Sequence, residues 1–254
     1  CVGVGGPNIA PPGDGPIAEC VANAPGGPVH VLVSDTEAEH IPGCNMAFRR
    51  AALEGVGGFD PRYRAAGDDV DLCWRLQDRG MTIGFHPGAM VWHHRRNSVR
   101  TYWRQQLGYG RAEALLEAKW PERYNALGHY TWAGRIYGTG LTRALALRRG
   151  VIYQGMWGSA PFQSLYQPAP GLWSSLPLMP EWYFAIAGLA AIGALGVLWA
   201  PLALALPLLA LAIAVPAAQA VASPGAARFP RPARFNRYAL TAAMHLLQPR
   251  ARPR

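Results

Sequence analysis

Gly67-Asp68-Asp69-Val70-Asp71-Leu72-Cys73-Trp74-Arg75-Leu76 puts three carboxylates in four positions, behind a glycine and ahead of an apolar run that closes near Gly80. Acids in a first turn favour the positive end of a helix dipole, and a glycine just past the last apolar residue is a stop signal, so the spacing predicts a helix from Asp68 to about Gly80. One aspartate there would serve as a cap. Three exceed what capping needs, and their mutual repulsion is expected to raise at least one pKa, as suits a general base. Asp71 and Arg75 are four apart and can pair along the helix surface. Asp68 reads as the natural cap. Asp69 has neither role, which makes it the catalytic candidate, although residue chemistry alone leaves a solvated capping cluster open.

Outward from this stretch lie Ile41-Pro42-Gly43-Cys44-Asn45-Met46-Ala47-Phe48-Arg49-Arg50, then Gly57-Gly58-Phe59-Asp60, and beyond the helix Val91-Trp92-His93-His94. Together the four motifs closely resemble the family 2 glycosyltransferases of the GT-A fold, in the family's order and spacing over about the first hundred residues. The resemblance implies that the second acid of the Glu/Asp-Asp-x-Asp-Leu signature, here Asp69, deprotonates the acceptor hydroxyl. Asp68 stands where Glu is usual. It also implies that the Gly43–Asn45 loop lies beside the donor and acceptor cleft, and that His93 can complete the coordination of a divalent ion, Mg²⁺ or Mn²⁺, on the donor diphosphate. Gly43, Asn45, Asp60 and Asp68 are therefore candidate substrate-binding residues, with Asp60 equally readable as a turn residue. His94, adjacent on the strand, points to the opposite face and is a helper or a surface residue.

The family's nucleotide-binding strands and metal-binding Asp-x-Asp find no counterpart in these 254 residues, which open at Cys1 in a glycine-rich loop. The expectation is a carboxyl-terminal portion, inactive alone, with most metal ligands upstream. Gly3-Val4-Gly5-Gly6 does not complete a dinucleotide fingerprint. Pro16–Ala24 reads as a short helix, Val29–Val33 as a strand with His30 a satisfied polar side chain, and Ala47–Leu53 as a helix. Met81–Phe85 and Ala89–His93 read as strands. Ser98–Lys119 reads as a long basic amphipathic helix capped by Ser98, with Trp103 and Tyr102 suited to a membrane interface. Its Arg104-Gln105-Gln106 does not reproduce the Gln-x-x-Arg-Trp element of processive family members, which leans toward single additions. Residues 129–167 are rich in Gly, Trp and Tyr, as a cap over the cleft, an interfacial platform or packing would be.

Residues 182–227 carry no charged side chain. Trp182–Trp199 and Leu202–Val221 are apolar blocks separated by Ala200-Pro201, and each approaches the roughly 20 residues a membrane crossing needs. They predict a two-helix transmembrane hairpin, with a buried or re-entrant pair as the alternative. Arginines flank both sides, which puts both ends in the cytoplasm. Charge is uneven along the chain. Residues 1–94 hold six arginines against eleven acids, and residues 95–150 eleven cations against three. That balance suits anionic lipid headgroups, and the basic part lacks the motif of a nucleic-acid reader. The four cysteines show no paired spacing and read as free thiols.

The expected α/β architecture is thus the carboxyl-terminal half of a GT-A domain (1–97), an interfacial helix with an aromatic region (98–180), a transmembrane hairpin (181–223) and a basic cytoplasmic tail (224–254). The expected protein is a multi-pass cell-membrane enzyme of cell-envelope polysaccharide synthesis. It would be an inverting transferase moving a sugar from a nucleotide-sugar to a glycan or lipid-linked hydroxyl. Two alternatives remain: a hydrolase of sugar phosphates whose metal is held by Asp69, Asp71 and His93, and a non-catalytic membrane scaffold.

Overall fold

The computed structural model describes residues 1–24, 26–125, 132–137, 151–152, 165–167, 177, 180–225 and 235–248. Most of the aromatic-rich region at 129–167 lies outside the described residues.

The fold is built around the acidic helix. Helices α1 (Pro16–Ala22), α2 (Arg50–Gly55) and α3 (Asp68–Gln77) are short, and α4 (Val99–Lys119) is long. Strands β1 (Gly3–Gly5), β2 (Asn8–Ile9), β3 (His30–Leu32), β4 (Glu37–His40), β5 (Met46–Phe48), β6 (Ile83–Phe85) and β7 (Val91–Trp92) interleave with them. Three more short strands follow: β8 (Arg135–Tyr137), β9 (Val151–Ile152) and β10 (Leu165–Gln167). Among the described residues the main sheet runs β5-β1-β6-β4-β3-β8-β10-β9, while β2 and β7 pair separately. Strands β1 and β6 are parallel, as are β2 and β7, and the other neighbours are antiparallel. The glycines of the opening loop have a packing role. A Cβ on Gly6 would lie 2.1 Å from the Ala89 carbonyl oxygen, so only glycine lets the backbone leaving β1 approach the turn before β7.

α3 is buried on nearly every side. Cys73 packs into the sheet with Leu32, Ile41 and Ile83; Leu72 and Leu76 meet Ala52 and Val56 of α2; Val70 and Trp74 meet Leu116 and Trp120 at the end of α4. Removing each such large apolar side chain from water contributes about 1.5–3 kcal/mol. The helix begins at Gly67, in the left-handed region (φ +84°), so the cap position belongs to Gly67 and not to Asp68, which is the first helical residue. The helix ends at Gln77, and a turn over residues 78–80 carries the chain to Gly80 (φ +72°), three residues beyond the helix end.

The expected helix at Ala47–Leu53 is divided. Met46–Phe48 extends along β1 as an edge strand, where Phe48 packs on the core, and helix α2 starts only at Arg50. Strand β4 carries no apolar alternation, being Glu-Ala-Glu-His, and sequence reasoning passed over it. The expected cap of α4 is present, since Ser98 Oγ accepts the Thr101 N–H at 3.2 Å.

The apolar blocks form helices α5 (Pro180–Ala194) and α6 (Ala205–Gly225), joined through 3-10 turns at Leu195–Val197 and Ala200–Leu204. They pack side by side, with Trp182 Nε1–H donating to the Ala212 carbonyl at 2.8 Å. The expectation of two full spans is met in part. Among the described residues one helical segment, Ala200–Ala218, is long and apolar enough to cross a membrane, and the other, Glu181–Val197, is shorter. Residues 235–247 form helix α7 (Phe235–Leu247), whose Met244 packs with Cys20 and Val21 of α1 and Tyr102 of α4. Arg237 also pairs with Glu19 of α1 at 2.5 Å, so this part of the expected tail is docked on the acidic half.

Candidate active site

The three acids that open α3 have three different surroundings. Asp71 points inward with no exposed surface. Its carboxylate accepts Arg75 Nε–H at 2.7 Å and Trp120 Nε1–H at 2.9 Å, and Lys119 Nζ lies 2.6 Å away. Lys119 also reaches Asp60 at 2.9 Å, and Asp60 accepts from Arg62, which together hold the Asp60 carboxyl well below the usual range. Asp60 is therefore a member of an ion-pair network that seats α4 on the Gly57–Pro61 loop. Asp68 is half-buried, and burial together with the neighbouring Asp69 charge pushes its carboxyl up. The repulsion expected within the cluster thus falls on Asp68.

Asp69 stands at the mouth of α3 with 21% of its side chain exposed. Its Oδ2 accepts the Gly43 N–H at 2.9 Å and its Oδ1 the Val70 N–H at 2.9 Å. Burial pulls its pKa upward, but His40 and these two backbone donors outweigh burial and hold the carboxyl below its ordinary value. Asp69 is therefore an ionised carboxylate at neutral pH with lone pairs left over, the state a general base needs before it takes a proton. The structure brings Gly43 directly onto it. A Cβ at position 43 would sit 3.7 Å from the Asp69 carboxylate, an ordinary contact on the rim where a ligand would approach.

Asn45 braces the loop from behind. Its Nδ2 donates to the carbonyls of Gly6 at 2.8 Å, Pro7 at 3.1 Å and Ala89 at 2.6 Å. The Asn45 amide nitrogen thus ties the Gly43 loop to β1 and the β6–β7 turn. His30 is buried with Nε2 donating to the Gly6 carbonyl at 2.7 Å, and burial lowers its pKa to about 4, so it is the satisfied core histidine expected.

His93 directly follows β7, and the Arg95 guanidinium lies on its Nδ1. Burial first, and then the charges of Arg95 and Arg96, push its pKa down. Arg95 Nη2 also donates to Asn8 Oδ1 at 2.8 Å. His94 is exposed and pairs with Asp14 at 2.5 Å. Among the described residues no three His, Cys, Asp or Glu side chains are grouped to hold a metal ion. A cation approaching His93 would meet a guanidinium already in place. These residues do not form a metal centre by themselves, and Asp71, sealed behind Arg75 and Lys119, cannot share an ion with Asp69 as the hydrolase alternative requires.

Sequence reasoning missed His40. It lies buried at the end of β4, with its Nε2 3.6 Å from Asp69 Oδ2 and its ring stacked on Trp132 (centroids 5.6 Å, interplanar angle 23°). Among the described residues neither ring nitrogen has a hydrogen-bond partner. No motif marks this histidine; the only signal is its position three residues before Gly43.

Residues 30–217 match the model of glycosyl transferase family group 2. The chain belongs to that family. Three curated glycosyltransferases are similar to it in part. Pre-mycofactocin glycosyltransferase of Mycobacterium tuberculosis is 33% identical over 113 residues, covering 42% of this chain and 24% of that one. "Probable glycosyltransferase YdaM" of Bacillus subtilis is 33% identical over 79 residues, 31% of this chain and 18% of that one. N-acetylglucosaminyl-diphospho-decaprenol L-rhamnosyltransferase of M. tuberculosis is 41% identical over 59 residues, 23% of this chain and 19% of its own length. The chain thus spans no more than about a quarter of the curated relatives it matches. No solved structure matches it. The mixed α/β sheet with its surrounding helices is consistent with the GT-A architecture.

Proposed function

We propose that this glycosyltransferase chain carries the general base of an inverting sugar transfer from a nucleotide-sugar to a hydroxyl acceptor at the cytoplasmic face of a membrane. The observation that carries the reading is the Asp69 carboxylate: ionised, partly exposed, and held at the mouth of α3 by the N–H groups of Gly43 and Val70. The acceptor hydroxyl donates to a free lone pair of that carboxylate. As its oxygen attacks the anomeric carbon from the face opposite the leaving group, the O–H proton passes to Asp69. The bond from the anomeric carbon to the nucleoside diphosphate breaks and the diphosphate leaves with the electron pair. Charge builds on the sugar ring as in other glycosyl transfers with oxocarbenium character.

Gly43 shapes the rim of the site, and Asp68, half-buried beside the base, is the second acid a substrate hydroxyl would meet. A glycan or lipid-linked acceptor is favoured by the apolar helices α5 and α6, and by the name of one relative, which specifies a diphospho-decaprenol-linked sugar. Arginines on both flanks of those helices favour a cytoplasmic catalytic part, where nucleotide-sugars are made.

The test is Asp69→Asn in the full-length protein in detergent, with a panel of UDP-, GDP- and dTDP-sugars and released nucleoside diphosphate as readout. Loss of a general base lowers turnover about 10²–10⁴-fold. The variant is expected to keep the wild-type melting temperature and donor binding while losing turnover on that scale. Turnover near the wild-type rate would remove the base assignment. The scaffold alternative predicts no turnover from wild type with any donor.

A further inference from the structure

We propose that His40 is a positioning residue for Asp69, donating from Nε2 to Oδ2 in the substrate-bound state; this rests on Asp69 being the base. Three observations converge on it. The His40 side chain is 6% exposed, and neither ring nitrogen is bonded to any of the described residues. Buried polar groups in folded proteins are nearly always satisfied, so an imidazole left open on both nitrogens asks for a partner that arrives later. The candidate partner is already in line: Nε2 stands 3.6 Å from Asp69 Oδ2, a few tenths of an ångström beyond hydrogen-bond length. Catalytic hydrogen bonds are often long in a free enzyme and tighten when substrate binds. Finally, the ring is held in place. Trp132 stacks on it, and Trp132 in turn packs against Trp74 of α3 at 5.7 Å. The histidine and the helix carrying Asp69 therefore share one aromatic support.

With Gly43 N–H and His40 Nε2–H both on Oδ2 and Val70 N–H on Oδ1, three donors fix the plane of the carboxylate. A base held this way presents its remaining lone pairs in one direction, and a misplacement of about 1 Å in such a group costs on the order of 10²-fold in rate. His40 gives up no proton in the reaction. It keeps Asp69 ionised until the acceptor proton arrives. The titratable and charged groups around His40 are Asp69 on α3, His30 on β3, Glu39 on its own strand with Arg123 4.0 Å from that carboxylate, and the Cys73 thiol, which burial pushes up to about 12. Of these, only Asp69 offers His40 an acceptor at the rim of the site. Glu39 Oε2 accepts the Gly134 N–H at 2.7 Å, and its Oε1, 4.0 Å from Arg123, is buried with no hydrogen-bond partner among the described residues.

The experiment compares wild type, His40→Phe, His40→Gln and His40→Asn in the full-length protein in detergent, with the same donor panel and pH profiles of kcat/KM. Phenylalanine keeps the stack on Trp132 and removes the donor. Glutamine places its amide N–H near the position of Nε2, whereas asparagine places it near Nδ1, out of reach. His40→Phe is expected to lower kcat about 10- to 100-fold with donor KM within about twofold. Its acid limb should move to higher pH, because Asp69 loses a partner that holds its pKa down. His40→Gln should recover most of kcat and return the limb, and His40→Asn should not. If His40→Phe fails to fold, the contrast between glutamine and asparagine decides. Wild-type kcat and an unmoved limb in His40→Phe would overturn the proposal, as would glutamine and asparagine variants of equal rate. Asp69→Asn is run alongside: if it keeps turnover, the base reading has failed; if it is dead while His40→Phe is normal, only the positioning role has.

Discussion

Asp69 and Asp71 are two residues apart, and on a helix that separates their side chains by about 200°. The consequence is a division of labour between one carboxylate at the solvent rim and one sealed in the core. Asp71 satisfies Arg75, Trp120 and Lys119 together. Removing one member of a buried ion-pair cluster leaves the others charged and unpaired, at a cost of about 3–5 kcal/mol. Asp71→Asn is therefore expected to lower the unfolding free energy by that amount, read as a lower urea midpoint with an unchanged slope, in contrast to Asp69→Asn. Equal urea midpoints for Asp71→Asn and wild type would show that the cluster is not a stabilising unit. The pairing of Asp71 with Arg75 was legible in the sequence because it is local, four residues along one helix. Lys119 and Trp120 were not, because they arrive from a helix end about fifty residues later. His40 was hidden for the same reason: its relation to Asp69 exists only once β4 lies beside α3.

The element that sets the geometry is α3, and its start is the sensitive point. Gly67 has φ +84°, and a Cβ there would sit 3.2–3.3 Å from Leu116, Ala112 and Tyr63. A left-handed backbone is disfavoured for any L side chain by about 1–2 kcal/mol, and the crowding against α4 adds to it. Gly67→Ala is expected to lower the melting temperature by several degrees and also to reduce kcat, because the turn that shifts is the one carrying Asp69. Gly80→Ala is the matched control. It bears a similar φ of +72° with nothing within 4 Å of the added carbon, so it should lose stability and keep kcat. Thermal melts and turnover of the two variants check this; equal kcat in both would separate the start of α3 from the site. Both glycines were readable as helix punctuation. The split of 46–55 into strand and helix was not, since Met-Ala-Phe suits a helix by propensity and becomes a strand only because β1 offers it an edge.

At the scale of the whole molecule the question is how the acidic half sits relative to a bilayer. Apolar composition located the two helical blocks in sequence, but their lengths in the fold differ. Glu181–Val197 has 17 residues, about 26 Å of helix at 1.5 Å per residue, against a hydrocarbon core of about 30 Å. Ala200–Ala218 is the longer, and only 17% of it is buried by protein. If that helix crossed alone, α7 would lie on the far side of the membrane from α1. Yet α7 touches α1 through Met244, Cys20 and the Arg237–Glu19 pair. The proposed hairpin would reconcile the two facts: α5 and α6 would go in and out together, the shorter one meeting a locally thinned bilayer. Single cysteines placed in a cysteine-free background report this directly. Asp35→Cys on an exposed loop and Leu247→Cys on α7 should react with a membrane-impermeant maleimide from the same side of sealed vesicles, and Trp199→Cys at the hairpin tip from the opposite side. Labelling of 35 and 247 from opposite sides would mean a single crossing, and the docking of α7 on α1 would then have to be abandoned.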